Sequence, residues 1–309
     1  MQVLLAGATG AIGRPLIRAL TAHGHAVTAI VRNPANHGLV RELGAEPVTA
    51  DVLDREGLLR ALDGVRADAV IHQATALRDA KPQRRIPADD PTGLLRTVGS
   101  AHLLEAAELV GARRFLTQSL ILGYGYRDHG TVPLTERDTF GVYDGGVADE
   151  VVRACVSAEE QAFAAAGLEA IALRYGLFYG PGAFSDLFGD MMRKRQPVGP
   201  RGEGGVNSWL HVEDAAAATV AALERGVAGR AYNLADDTPI TWGEFFRLVR
   251  HSKQAPRPIR LPLWLVRLGV PYIAALMGDT SMRISSELAH AELGWQPRYS
   301  SVADGLAAG

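Results

Sequence analysis

The stretch Val3-Leu4-Leu5-Ala6-Gly7-Ala8-Thr9-Gly10-Ala11-Ile12-Gly13 decides how the chain is read. Its four leading apolar residues predict a short buried strand, and the run from about Ala11 to Ala22, closed by Gly24, predicts a helix. The glycines lie between the two, the placement that gives such a motif meaning. Gly7 permits a tight turn, Gly10 lets the backbone approach a pyrophosphate, and Gly13 lets the helix pack closely on the strand. The helix N-terminus then offers free N–H groups and a partial positive charge to phosphate.

The same alternation continues beyond the loop. Strands are predicted at Val27–Val31, Pro47–Ala50, Ala69–His72, Arg114–Gln118 and Ala170–Arg174. Helices are predicted after Pro34 and over Glu56–Leu62, Thr92–Val110 and Glu150–Ala166. Short continuous apolar strands alternating with helices point to an α/β fold, a Rossmann-type doubly wound parallel sheet covered on both faces. Residues 1–180 read as the nucleotide-binding domain. Residues 181–309 read mainly as a smaller C-terminal substrate-binding lobe, with about 207–235 returning to the first domain. After Gly180-Pro181-Gly182 the periodicity fails, and Pro197, Pro200, Gly202, Gly204 and Gly205 suggest a long loop. Thr241-Trp242-Gly243-Glu244 has the form of a capping box opening a further helix.

The end of the second strand selects the nucleotide. An acidic residue there would bind the adenosine ribose of NAD, but this chain has Arg32, followed by Asn33 and Pro34. A guanidinium suits a ribose 2′-phosphate by charge and by fork geometry, so NADP(H) is the expected cofactor.

Composition narrows the function classes. With 32 Lys and Arg against 34 Asp and Glu, the net charge of −2 offers no footprint for nucleic acid or an anionic membrane. The densest basic stretch, Lys81-Pro82-Gln83-Arg84-Arg85, reads as a solvated loop. The single cysteine, Cys155, excludes a disulfide framework, fits a reducing, cytoplasmic setting and reads as a small buried residue. The first residues show no leader pattern. The most apolar window, Leu261–Met277, is interrupted by Pro262, Arg267 and Pro271 and reads as a buried helix of the smaller lobe or the wall of a substrate pocket. His211 and Asp214 do not make a metal site without a third ligand, so no metal is expected. His72 reads as a hydrogen-bonded core histidine, and Trp209 and Trp295 as packing residues.

Glycines spaced three and three, instead of two and three, resemble those of the extended short-chain dehydrogenase/reductases, the epimerase/dehydratase-like group. Further segments carry the resemblance in order: Ala50-Asp51-Val52-Leu53-Asp54, Val70-Ile71-His72-Gln73-Ala74-Thr75, Arg174-Tyr175-Gly176-Leu177-Phe178-Tyr179-Gly180-Pro181-Gly182, Ser208-Trp209-Leu210-His211-Val212-Glu213-Asp214-Ala215, and Glu292-Leu293-Gly294-Trp295-Gln296-Pro297. The resemblance implies cofactor contacts from Gly7, Thr9, Gly10, Ala11, Ile12, Gly13, Arg32, Asp51, Val52, Gln73, Ala74, Thr75, Gln118, Tyr175, Gly176 and Phe178. It also implies a small-molecule substrate, a homodimer and a substrate-orienting serine at Ser119.

The family's chemistry rests on a Tyr and a Lys four residues apart on one helix, where the lysine lowers the tyrosine pKa and the tyrosine exchanges a proton with the substrate oxygen. The chain's only lysines are Lys81, Lys194 and Lys253, and none follows a Tyr by four. Aligning Glu160-Gln161 with the end of the family's motif helix puts Val152 and Val156 at the two positions. Three explanations remain open. Another group supplies the proton, with Tyr143, Tyr124, Asp149 and Glu150 as candidates. The reaction needs no strong acid there, as in hydride delivery to an activated alkene or an imine. Or the protein binds NADP(H) without turnover, as a redox sensor. The reading that follows is an NADPH-dependent oxidoreductase reducing a carbonyl, activated C=C or imine of a small, fairly apolar molecule. The alternatives are a nucleotide-sugar epimerase or dehydratase and a non-catalytic sensor.

Overall fold

The computed structural model describes residues 1–77 and 84–308, so Lys81, Pro82 and Gln83 of the basic stretch lie outside the described residues. The first half alternates as the apolar runs require: β1 (Gln2–Ala6), α1 (Gly13–Ala22), β2 (Ala26–Val31), α2 (His37–Glu42), β3 (Ala45–Thr49), α3 (Arg55–Ala61), β4 (Ala69–His72), α4 (Pro91–Val110), β5 (Arg114–Leu120), α5 (Asp149–Ala164) and β6 (Glu169–Tyr175). The remainder comprises β7 (Leu177–Tyr179), α6 (Phe184–Arg193), β8 (Pro197–Pro200), β9 (Val206–Asn207), β10 (Trp209–His211), α7 (Val212–Arg225), β11 (Arg230–Leu234), β12 (Ile240–Thr241), α8 (Trp242–Ser252), β13 (Ile259–Leu261), α9 (Leu263–Gly269), α10 (Pro271–Ala274), α11 (Glu287–Leu293) and α12 (Val302–Ala307).

The main sheet has the order β3-β2-β1-β4-β5-β6-β11, and every pairing in it is parallel. Chain order reverses beside β1, so the C-terminal ends of β1 and β4 flank the crevice where a nucleotide lies in such sheets. Alternate residues of each strand feed opposite layers. Leu116 and Leu120 of β5 join a core shared with Leu16, Ile17 and Leu20 of α1 and Ala218 and Ala222 of α7. Phe115 joins the other core, with Leu58 of α3 and Leu103, Ala106 and Ala107 of α4.

Two expectations are corrected. Regular structure resumes after Gly182, and the stretch expected as a long loop begins with β8 at Pro197–Pro200. Phe184, Phe188 and Met192 recur every four residues in α6, and Phe184 and Phe188 pack edge-on against aromatic rings of α8, Phe184 on Trp242 and Phe188 on Trp242, Phe245 and Phe246. The apolar window Leu261–Met277 is not one buried helix. Pro262 and Pro271 divide it into α9 and α10, and Trp264 is 68% exposed. No helix among the described residues is long and apolar enough to cross a membrane. The Thr241 hydroxyl caps α8, accepting from the Glu244 N–H at 3.0 Å.

Beyond β11 the chain buries a carboxyl group. Asp236 is held by its N–H to the Trp209 carbonyl at 2.7 Å, and neither carboxyl oxygen makes a well-formed hydrogen bond. Burial pushes its pKa up to about 9, the Thr238 amide offsetting only part of the effect. The folded chain therefore keeps a proton that the unfolded chain releases above the ordinary carboxylate range. Its contribution is fully present below about pH 4 and is lost progressively as pH rises toward 9. Asp236→Asn is expected to flatten the fall in Tm between pH 5 and 8 and to raise Tm at pH 8. An unchanged slope, or a lower Tm at pH 8, would contradict the buried neutral carboxyl.

Candidate functional site

The glycine loop closes as tightly as its sequence requires. Gly7 has φ +91°, and a Cβ there would lie 2.4 Å from the Gln73 backbone beyond β4. A Cβ on Gly13 would fall 2.1 Å from the Gly7 carbonyl, whereas one on Gly10 would meet only that carbonyl, at 3.2 Å. Gly10 thus presents bare backbone on the open side of the turn. The start of α1 has no side-chain cap and no acidic residue in its first turn, so no side chain of its own competes there for a phosphate. By contrast, Asp54 caps α3 and Asp90 caps α4. Thr9 and Ala11 are half-buried and Ile12 is buried beside the loop.

Neighbouring strand ends carry the other expected cofactor residues. Arg32 follows β2, is exposed, and makes no hydrogen bond or ion pair among the described residues. Asp51 turns its carboxylate onto the Leu53 N–H at 2.9 Å, and Val52 is buried with its carbonyl bonded by His102. Ala74 and Thr75 follow β4 and are half-buried. An uncapped helix start and a glycine-rich loop in one crevice fit the phosphate chain of a nicotinamide dinucleotide.

Other expected residues are committed to the interior. Gln73 Nε2 donates to the Tyr175 hydroxyl at 2.7 Å, which also bonds Thr219 Oγ1 at 2.7 Å, and burial pushes the Tyr175 pKa up. Gly176 is pressed against Ser208 and donates to the Leu234 carbonyl. Phe178 is half-buried beside Tyr175. Gln118 and Ser119 are buried, and neither Gln118 Oε1 nor Ser119 Oγ has a partner among the described residues. Ser119 sits opposite Arg174 in the β5–β6 register, away from open surface.

The candidate proton donors are also dispersed. Tyr124 is fully buried. Its hydroxyl lies 2.9 Å from both the Thr135 carbonyl and Asn233 Oδ1 and accepts from Arg174 Nη1 at 3.0 Å. It braces the 121–135 segment and is not at a pocket rim. Tyr143 is 43% exposed beneath the Arg153 guanidinium, 5.0 Å from its ring centroid. Asp149 accepts from the Gly145 N–H, and Glu150 pairs with Arg153. His72 is a core residue, its Nε2 on the Leu95 carbonyl and its Nδ1 accepting from the Ala74 N–H; burial lowers its pKa to about 4.

Sequence reasoning missed a group at the C-terminal end of β5. The Tyr126 and Tyr272 hydroxyls meet at 3.1 Å, joining the segment after β5 to α10. Arg96 of α4 lies close enough to influence both tyrosines, Cys155 and His72. Cys155 also contacts the Leu120 backbone, and burial raises the pKa of its thiol. Val152 is buried, and Val156 is beside Gly141. Cys155, against the Leu120 backbone, turns its own line of α5 toward the end of β5, a line that four-residue spacing shares with Val151 and Glu159 and that lies one residue from the expected Val152–Val156 line.

Glu159 anchors this line. Arg174 Nε and Nη2 bond its carboxylate at 2.9 and 2.7 Å, with side-chain exposures of 8% and 5%. Burial opposes the charge on Arg174, but the Glu159 hydrogen bonds and attraction outweigh it and raise the pKa. Phe140 covers the guanidinium, its ring centroid 3.7 Å away.

Residues 3–235 match the model of the NAD dependent epimerase/dehydratase family. A 3-diazoavenalumate denitrifying reductase from a Streptomyces species is 37% identical over 318 aligned positions, covering 99% of each chain. A ceramide reductase from Caulobacter vibrioides is 32% identical over 268 positions, covering 84% of this chain and 73% of that one. Among solved structures, a dTDP-glucose 4,6-dehydratase from Streptomyces venezuelae, with NAD bound, superposes with a TM-score of 0.79 at 23% identity, covering 100% of this chain and 95% of that one. At that identity the likeness establishes the fold.

Removing one partner of a buried ion pair strands the other charge, at a cost of about 3–5 kcal/mol. Glu159→Gln is expected to lower unfolding free energy by about 3 kcal/mol, measured by urea denaturation. A loss below about 1 kcal/mol would show that the pair does not hold α5 to the sheet.

Proposed function

Because the chain belongs to the NAD-dependent epimerase/dehydratase family, we propose that it is an NADPH-dependent reductase of a small carboxylic acid bearing a diazonium-type group. The observation that carries this reading is the α5 line at the end of β5, where Val151 and Cys155 offer no Tyr–Lys pair. One relative, matched over 99% of each chain, is named a 3-diazoavenalumate denitrifying reductase.

The two observations share a chemical reason. When bound, the reduced nicotinamide supplies a hydride; a diazonium carbon that accepts it gains a C–H bond, loses its C–N bond and releases N2, with no proton in the balance. General acid–base groups contribute about 10²–10⁴-fold where a proton must move. Here none must, and an apolar wall in place of the pair carries no penalty. Removing a sugar hydroxyl proton, as nucleotide-sugar epimerisation requires, needs a base that this wall does not provide.

The chain's own residues divide the remaining work. Gly7, Gly10, Gly13 and the uncapped start of α1 would hold the phosphates, and Arg32 the 2′-phosphate, which favours NADPH over NADH. Val151, Val152, Cys155 and Leu120 exclude water from the reacting carbon. The Tyr126 and Tyr272 hydroxyls, their pKa values raised by burial, stay protonated.

The test is an assay of the full chain with NADPH and an aryl diazonium carboxylate. One N2 released for each NADPH oxidised is the expected result; N2 release without NADPH oxidation, or no turnover, would sink the reading. In parallel, Arg32→Gln is expected to weaken NADPH binding at least tenfold and leave NADH binding unchanged. Equal effects on both nucleotides would remove the case for NADPH.

A further inference from the structure

We infer that Arg96 is the seat of the substrate's carboxylate, with the Tyr126–Tyr272 pair closing over it. The inference deepens the reading above and rests on it for the identity of the substrate. Its physical ground is a buried cation without a counter-ion among the described residues.

Arg96 is 4% exposed, and its Nε and Nη2 atoms have neither solvent nor a hydrogen-bond partner. Every polar group identified around it is unable to compensate the charge. His72 has both ring nitrogens committed and is held neutral. Tyr126, Tyr272 and Cys155 are uncharged, since burial raises all three pKa values. The nearby carboxylates are occupied elsewhere: Asp90 accepts from the Thr92 and Gly93 N–H groups, and Glu159 is bonded by Arg174. Buried guanidinium groups are ordinarily paired, so a protein that leaves one unpaired among the described residues has room in its energetics for an incoming anion.

The tyrosines supply a second observation. Two hydroxyls 3.1 Å apart have two protons, and only one is used in the bond between them. The other O–H is free to donate. A guanidinium fork within electrostatic reach of a spare hydroxyl donor suits a planar carboxylate, which accepts two parallel N–H bonds and a third from the side. The two rings come from different parts of the chain, Tyr126 after β5 and Tyr272 on α10, so the seat lies where the C-terminal lobe meets the end of the sheet. A carboxylate held there neutralises Arg96 and leaves a cationic diazonium end directed away from it. The same arrangement selects for acids, because an uncharged analogue would leave the guanidinium buried and unpaired.

The seat is testable without turnover. The full chain, saturated with NADP⁺, would be titrated calorimetrically with cinnamate and with cinnamamide, which has a similar shape without the charge. Cinnamate is expected to bind at least tenfold more tightly. Arg96→Met should abolish that preference, leave NADPH affinity within twofold and raise the Tm of the ligand-free protein, because an unpaired buried charge is gone. Arg96→Lys should keep part of the preference, and Tyr272→Phe should weaken cinnamate binding several-fold. Equal binding of acid and amide, or no binding of either, would overturn the inference. So would a loss of NADPH affinity in Arg96→Met, which would assign Arg96 to the cofactor, or a lower Tm, which would make it structural. Intact acid-over-amide binding without N2 release from a diazonium acid would sink the proposed reaction and leave the seat standing.

Discussion

The Arg174–Glu159 pair is the contact on which the site depends. It joins β6 to α5 through three hydrogen bonds in a place where both side chains are buried. Such a pair contributes little net stability, since desolvation cancels much of the attraction, but it penalises every other register of the helix. Phe140 on the guanidinium and Tyr124 on Nη1 extend the constraint to the segment after β5. One ion pair thus sets which line of α5 faces the end of β5, where Tyr126 emerges.

That line brings Cys155 to the reaction region. The result is a division of labour along the sheet edge. The end proposed for the nucleotide is suited to charge, with exposed backbone at Gly10, an uncapped helix and an Arg32 that pairs with none of the described residues. The end proposed for the substrate is largely apolar, except for Arg96 and two hydroxyls that burial keeps protonated. A site of that kind favours a reaction whose difficulty lies in delivering a hydride and excluding water.

The sheet was legible because buried parallel strands are short apolar runs, and β1, β4 and β6 lie within a residue or two of their expected bounds. The glycine loop was legible because close backbone approach leaves no alternative residue. α6 was missed because Gly189 and the flanking glycines and prolines obscured a stripe that Phe184, Phe188 and Met192 do carry. Arg96 was readable in principle, as a charge on the Thr92–Ser100–Leu103 face that α4 buries. Tyr126 and Tyr272 were not, since 146 residues separate them and only the fold brings their hydroxyls together. Tyr124 and Ser119 were expected at the pocket because they adjoin the right strand end. Strand alternation and the Arg174 network place them inside instead.

The most direct test of hydride transfer without a protein acid is the origin of the new C–H bond. The reaction would be run in D2O with NADPH carrying protium at the transferred position, and the product analysed by mass spectrometry. The account predicts no deuterium at the carbon that loses nitrogen. Deuterium there would show that a proton from solvent or protein completes the bond, and the account would be wrong.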